Sequence, residues 1–205
     1  MLKPATEAVV LVHGLWMWRW TWYFYRIFLQ AKGYTVYVFG YSSTGQPIEK
    51  SVMQLTALVN SRDQQTVHLV AHSMGGILSM MALPKINKTG KLMLLGSPIN
   101  GSQVARKLKK RGWHKLLLRH ATEPLISGVS NPTTFRHSKM LAGNLPYGVG
   151  QIIQRMQGES DGTVSVDETQ ADWLNHHQVI KSNHLGLLKN KQAKAITAEF
   201  LAAAE

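Results

Sequence analysis

The sequence has no cysteine in its 205 residues. A disulfide scaffold, a thiolate metal site and a cysteine nucleophile are excluded at once. Acid is scarce as well: 11 Asp and Glu stand against 23 Lys and Arg, a formal charge of +12. Such an excess favours anionic partners such as nucleic acid or an anionic membrane surface, but says nothing about fold. No apolar stretch reaches the roughly 18 residues that a spanning helix requires. The start, MLKPATEAVVLVHG, lacks a secretory pattern, because its apolar run from Ala8 to Val12 closes on His13-Gly14 and not on a small-residue cleavage site. The expectation is a cytoplasmic chain, peripheral to a membrane surface at most.

Hydrophobic residues make up 44% of the chain and charged residues 17%, a composition that can build a sizeable core in one domain. Short β-rich runs bounded by turn residues predict strands at Ala8 to Val12, Thr35 to Phe39, Thr66 to Val70, Lys91 to Leu95 and Ile152 to Met156, with a weaker sixth at Gln178 to Ile180. Helical patterns lie between them, at Trp20 to Ala31, Ile48 to Asn60, Gly76 to Ala82, Ser102 to His120, Asp167 to Leu174 and Lys189 to Leu201. Strands apolar on both faces, alternating with helices, predict an α/β fold: a doubly wound, mostly parallel six-stranded sheet with helices on both faces. The interval from Ser97 to Gly150 is far longer than a crossover needs and reads as a lid or cover insertion in a single domain spanning 1–205.

The densest chemical signal is VHLVAHSMGG, from Val67 to Gly76. A serine between an apolar strand and a Gly-Gly helix start sits on a tight turn, with its Oγ projecting above the sheet and the following N–H groups aimed at the same space. Helix caps of the type Ser-x-Gly are common, so Ser73 gains weight from its context and not from the tripeptide. VVLVHGLW, AHSMGG, LLGSP, GESDGTV and NHLGLL together resemble the lipase and esterase side of the α/β-hydrolase superfamily, in the order Ser, Asp, His that this superfamily uses. The resemblance implies an oxyanion loop, a nucleophile elbow, an acid loop and a histidine loop. Ala71 departs from the glycine usual at the start of the elbow.

Chemistry reaches similar residues by another route. A serine that attacks at neutral pH needs a base, and an imidazole needs a carboxylate to set its tautomer. The four aspartates are Asp63, Asp161, Asp167 and Asp172. Asp161 is preferred because its Gly-rich loop follows the expected fifth strand; Asp167 reads as a helix N-terminal charge, and Glu159 is the reserve acid. His184 is the preferred base, in a loop between the last strand and the last helix. His13 and His72 belong to turns and should position backbone. The oxyanion donors are expected to be the N–H groups of Leu15 and Met74, with Gly14 and Trp16 at the substrate pocket. No HExxH or helical histidine cluster occurs, so neither metal nor cofactor is expected.

Two surface features remain. Seven aromatics crowd the ten residues from Trp16 to Tyr25, and suit a core and pocket wall or an apolar rim for lipid. Seven Lys and Arg without an acid occupy Arg106 to His120, either as a solvated helix face or as a seat on an anionic leaflet, with Leu108, Trp113, Leu116, Leu117 and Leu118 as apolar partners. Nucleic acid is disfavoured, since no reading motif accompanies the charge. The functional expectation is a serine hydrolase of small esters or lipids using Ser73, Asp161 and His184. The rival is a non-catalytic binding or membrane-surface protein on a hydrolase fold.

Overall fold

The run Ala8–Val12 is apolar at every position, so a strand made of it must be covered on both faces. A computed structural model, describing residues 6–129, 136–153, 156 and 158–203, shows how. Strands β1 (Glu7–Val12), β2 (Thr35–Phe39), β3 (Thr66–His72), β4 (Leu92–Leu95), β5 (Ser138–Gly143) and β6 (His176–Ile180) form one sheet in the order β2-β1-β3-β4-β5-β6. Every neighbouring pair is parallel. Helices α1 (Tyr23–Ala31), α2 (Ile48–Asn60), α3 (Met74–Ala82), α4 (Gln103–Lys110), α5 (His114–Leu117), α6 (Thr122–Ser127), α7 (Val149–Ile153) and α8 (Lys191–Ala202) connect and follow the strands.

Alternation along each strand divides the core into two layers. Val9, Leu11, Val70, Met93 and Leu141 pack beneath Tyr25 and Leu29 of α1 and Phe200 and Leu201 of α8. Ala8, Val10, Val12, Leu69 and Leu94 meet Leu55 of α2, Ile77 of α3 and Leu108 of α4 on the other face. Asn190 starts α8 cleanly, its side chain accepting from the N–H groups of Gln192 at 2.8 Å and Ala193 at 3.2 Å.

The fifth strand differs from the sequence expectation. Ile152 and Ile153 lie in α7, Ile152 being exposed, while positions 154 and 155 fall outside the described residues. The strand is instead Ser138–Gly143, whose sequence SKMLAG has little β propensity but whose neighbours β4 and β6 satisfy its backbone on both sides. Part of the interval 97–150 thus belongs to the sheet. The remaining differences are local. The basic stretch breaks into α4 and α5, Asp167–Thr169 is only a 3-10 turn, and a similar turn at Arg19–Trp22 precedes α1. Among the described residues no helix is long and apolar enough to cross a membrane.

Candidate active site

The strand order reverses between β1 and β3, and in open parallel sheets a crevice forms beyond the carboxyl ends at such a point. Ser73 stands there, directly after β3 and before α3, with φ +54° and ψ −128°. This region is costly for a residue bearing a Cβ and persists only when its surroundings enforce it. They do so here. The Ser73 N–H donates to the carbonyl of Leu95 at 2.9 Å, and the Ser73 carbonyl accepts from the N–H of Gly76 at 2.9 Å. Gly75 is required, since a Cβ there would lie 2.5 Å from the carbonyl oxygens of both Val12 and His13. The elbow is wedged against the end of β1.

Asp161 and His184 come together across the ends of β5 and β6. The Nδ1–H of His184 donates to Oδ2 of Asp161 at 2.6 Å, and the His184 backbone N–H donates to the Asp161 carbonyl at 2.9 Å. The other carboxylate oxygen, Oδ1, accepts from the N–H groups of Thr163 at 2.9 Å and Val164 at 2.7 Å. Both residues are buried. With Nδ1 carrying the proton, Nε2 of His184 is the lone pair, and His184 and Ser73 line the same cavity. Asp63, Glu159, Asp167 and Asp172 are all exposed, so no other aspartate, nor the reserve acid, competes for the imidazole.

Two more histidines brace the loops. The Nε2–H of His72 donates to the His184 carbonyl at 3.0 Å, with the rings 4.5 Å apart. Burial, followed by the proximity of His184, holds His72 well below the usual histidine range, so it stays neutral beside the second ring. His13 acts on the first loop: its Nδ1–H donates to the Gly14 carbonyl at 2.9 Å, while Nε2 accepts from the Tyr41 N–H at 3.4 Å. A trans peptide is planar, so fixing the Gly14 carbonyl also fixes the Leu15 N–H on the opposite side of the same plane. Burial lowers the pKa of His13 and thereby favours the neutral ring that this arrangement uses. Tyr41 stacks on His13 at 4.5 Å and donates its hydroxyl to the His13 carbonyl at 3.0 Å. Gly14 lies behind the elbow, where a Cβ would come within 2.8 Å of the Ser73 Cβ. Met74 opens α3 directly after the serine.

The cavity holds about 320 Å³. Leu15, Trp16, Val104, Leu108, Leu118 and Leu125 give it an apolar lining, and Asn183 and Leu185 line it beside His184. The start of α4 is anchored to the acid loop by Glu168, whose buried carboxylate accepts from the N–H groups of Gln103 and of Ser165 at 2.8 Å. Burial raises the Glu168 pKa, opposed by these backbone donors. Sequence reasoning passed over Tyr41 and Glu168. Tyr41 could have been found from its place two residues beyond β2, at the carboxyl edge; for Glu168 the Ser165-x-x-Glu168 spacing is a local capping-box signal, while its bond to the remote Gln103 N–H has none.

Among solved structures, the mature form of the Bacillus licheniformis lipase BlEst2 has a TM-score of 0.81 with this chain at 22% identity, over 98% of this chain and 94% of that one. Its propeptide form gives 0.82 at 22% identity, over 99% of this chain but 52% of that one. The Pyrococcus furiosus esterase Pf2001 gives 0.67 at 17% identity, over 96% and 80%. At such identities the likeness is one of fold. No curated protein matches the chain in sequence. The model of the Alpha/beta hydrolase family, however, matches residues 9–183, from within β1 through the elbow to the residue before His184. By that match the chain belongs to the α/β-hydrolase family.

Proposed function

We propose that the protein is a serine hydrolase of carboxylic esters, with Ser73 as nucleophile, His184 as general base and Asp161 as the carboxylate that orients it. One observation carries the reading: an imidazole paired at 2.6 Å with a buried carboxylate borders the same cavity as a serine held at φ +54°. Nucleophile, base and orienting acid need this relation, and a purely structural serine does not need the strain.

In acylation, Ser73 Oγ forms a bond to the acyl carbon as its proton passes to His184 Nε2. The carbonyl oxygen becomes an oxyanion that accepts from the Leu15 and Met74 N–H groups, each worth about 3 kcal/mol to the transition state. Collapse breaks the bond to the alcohol oxygen, and His184 returns the proton to that leaving group. Water then gives a proton to His184 and attacks the acyl carbon; collapse breaks the bond to Ser73 Oγ, which takes the proton back from His184, and the acid leaves. The cycle calls for neither metal nor cofactor. The apolar lining contributed by α4, Leu118 and α6 suits an acyl chain, and supports the reading of residues 97–129 as a cover of the pocket.

The test is a series of nitrophenyl esters with acyl chains of about two to sixteen carbons, using wild type and Ser73→Ala. Ser73→Ala should lose at least about a thousandfold in turnover with little change in melting temperature. A fluorophosphonate probe should label wild type at Ser73. Retention of a tenth of the activity, or absence of both turnover and label in wild type, overturns the reading in favour of a binding protein on this fold.

A further inference from the structure

The segment from Trp16 to Ile27 has two apolar sides where one would suffice. Trp22, Tyr25 and Leu29 are fully buried against the sheet. Yet Trp18, Trp20, Tyr23, Phe24 and Ile27 are exposed, Trp18 by 68% and Trp20 by 74%. A surface helix ordinarily turns polar residues outward, and core packing gives no reason for this second face. The ridge starts at the cavity. Trp16 lines the pocket with its backbone at φ +55°, held by its N–H on Ser43 Oγ at 3.0 Å and by its indole N–H on the Leu117 carbonyl at 3.0 Å. The latter bond ties the ridge to the α5 region, where Trp113 and Leu116 are exposed in turn, with the Arg111 guanidinium 5.3 Å from the Trp113 ring centroid.

The charge of these segments has one sign. No acid occurs between residues 8 and 48 or between 64 and 122, whereas Arg19, Arg26, Lys110, Arg111 and Lys115 are exposed. Not every cation of the basic run is available. Lys109 pairs with Glu123 at 2.6 Å, and Arg106 donates to the carbonyls of Ile126 and Gly101. Of the apolar partners expected from sequence, Leu108 and Leu118 are buried in the core, leaving Trp113 and Leu116 outward.

We propose that this surface seats the protein on anionic lipid membranes, with Trp18, Trp20 and Trp113 in the headgroup boundary, Arg26, Arg111 and Lys115 at the lipid phosphates, and the cavity mouth beside the bilayer. Indole rings with an apolar body and a polar N–H settle at that depth, and cations beside them are drawn by the negative leaflet. A lipid boundary also demands no complementary shape, which a protein partner would. The inference is independent of the ester-hydrolase reading, because binding is measured on Ser73→Ala protein without turnover.

Sedimentation with vesicles of phosphatidylglycerol and phosphatidylcholine in equal parts, and of phosphatidylcholine alone, separates the contributions. Ser73→Ala protein should partition at least tenfold more strongly onto the anionic vesicles in 0.1 M salt, and part of that binding should survive about 0.5 M salt because the indoles are not screened. Changing Lys110, Arg111 and Lys115 together to Gln should weaken anionic binding about tenfold or more, each cation near such a leaflet being worth roughly a factor of five. Trp18→Ser with Trp20→Ser should weaken binding to both kinds of vesicle, with thermal unfolding confirming that the variant is folded. Equal partitioning of wild type and both variants, or no binding to anionic vesicles, overturns the proposal. So does a concentration-dependent dimer in ultracentrifugation that the Trp18, Trp20 variant abolishes, since the ridge would then be a self-interface.

Discussion

Asp161→Asn separates orientation of the imidazole from support of the loop, because the two carboxylate oxygens have different partners. Oδ1 accepts two backbone N–H groups, from Thr163 and Val164, while Oδ2 faces the Nδ1–H of His184. An asparagine has one acceptor oxygen and one donor NH₂ to distribute. Placing NH₂ against the two backbone donors would leave both buried and unsatisfied, at about 1–3 kcal/mol each, so the oxygen must take the Oδ1 position. The NH₂ then confronts His184 Nδ1, which can only respond by becoming the acceptor and moving its proton to Nε2. An imidazole in that tautomer cannot take a proton from Ser73. The expected loss in kcat/KM on a nitrophenyl ester is about 10⁴-fold, equivalent to about 5.5 kcal/mol of transition-state stabilisation. Stability should hardly change, since both loop bonds survive. Asp161→Ala makes the contrast: it strips Thr163 and Val164 of their acceptor and should lower the melting temperature by several degrees, at about 2–4 °C per kcal/mol for a chain of this size. If Asp161→Asn keeps a tenth of wild-type activity, or destabilises as much as Asp161→Ala, the division of labour between the two oxygens is refuted.

Gly14→Ala puts a methyl 2.8 Å from the Ser73 Cβ and must displace the loop that presents the Leu15 N–H, so kcat/KM should fall about 10²-fold or more; a change under threefold on a short nitrophenyl ester contradicts this. Lys91 is buried at the far end of the sheet, its ammonium donating to the carbonyls of Phe200 at 2.9 Å, Leu201 at 3.4 Å and Ala203 at the end of α8. Lys91→Met should therefore cost about 1–3 kcal/mol in denaturant unfolding and leave kcat/KM unaltered; an unchanged midpoint would show that these carbonyls lose nothing. Stability should also fall on acidification. Burial depresses His13 and His72 below the ordinary 6.5 in the fold, so below about pH 6.5 the unfolded chain binds protons that the folded chain refuses. Together they should remove up to about 2.7 kcal/mol for each pH unit from there down to their folded values. Glu168 acts with opposite sign, because its raised pKa lets the fold take up a proton before the unfolded chain does, which offsets part of the loss near pH 4.5. A melting temperature that stays level from pH 7.5 to 5.5 would exclude two buried neutral histidines.

Much of the fold was legible because its signals are local. β1, β2 and β3 are rich in apolar and β-branched residues, and Ser73-Met74-Gly75-Gly76 marks a strand-to-helix turn through steric demands that extend over only a few residues. The same locality pointed to the Gly-flanked Asp161 and to His184 as loop residues between regular elements. Where neighbours decide, the reading failed. Ile152-Ile153 looks like a strand and is a short helix, while SKMLAG looks like neither and is a central strand, because β4 and β6 offer hydrogen bonds to both of its edges. Asp161 was chosen for following a strand expected at Ile152–Met156, of which Ile152 and Ile153 are helical; what brings it to His184, 23 residues further on, is the parallel alignment of β5 and β6. Tertiary structure alone set Tyr41 behind His13, aimed Glu168 at the start of α4 and turned Trp18 and Trp20 outward while burying Trp22. A single sequence encodes which side chains prefer to leave water, but it cannot say which surfaces are already covered when each of them arrives.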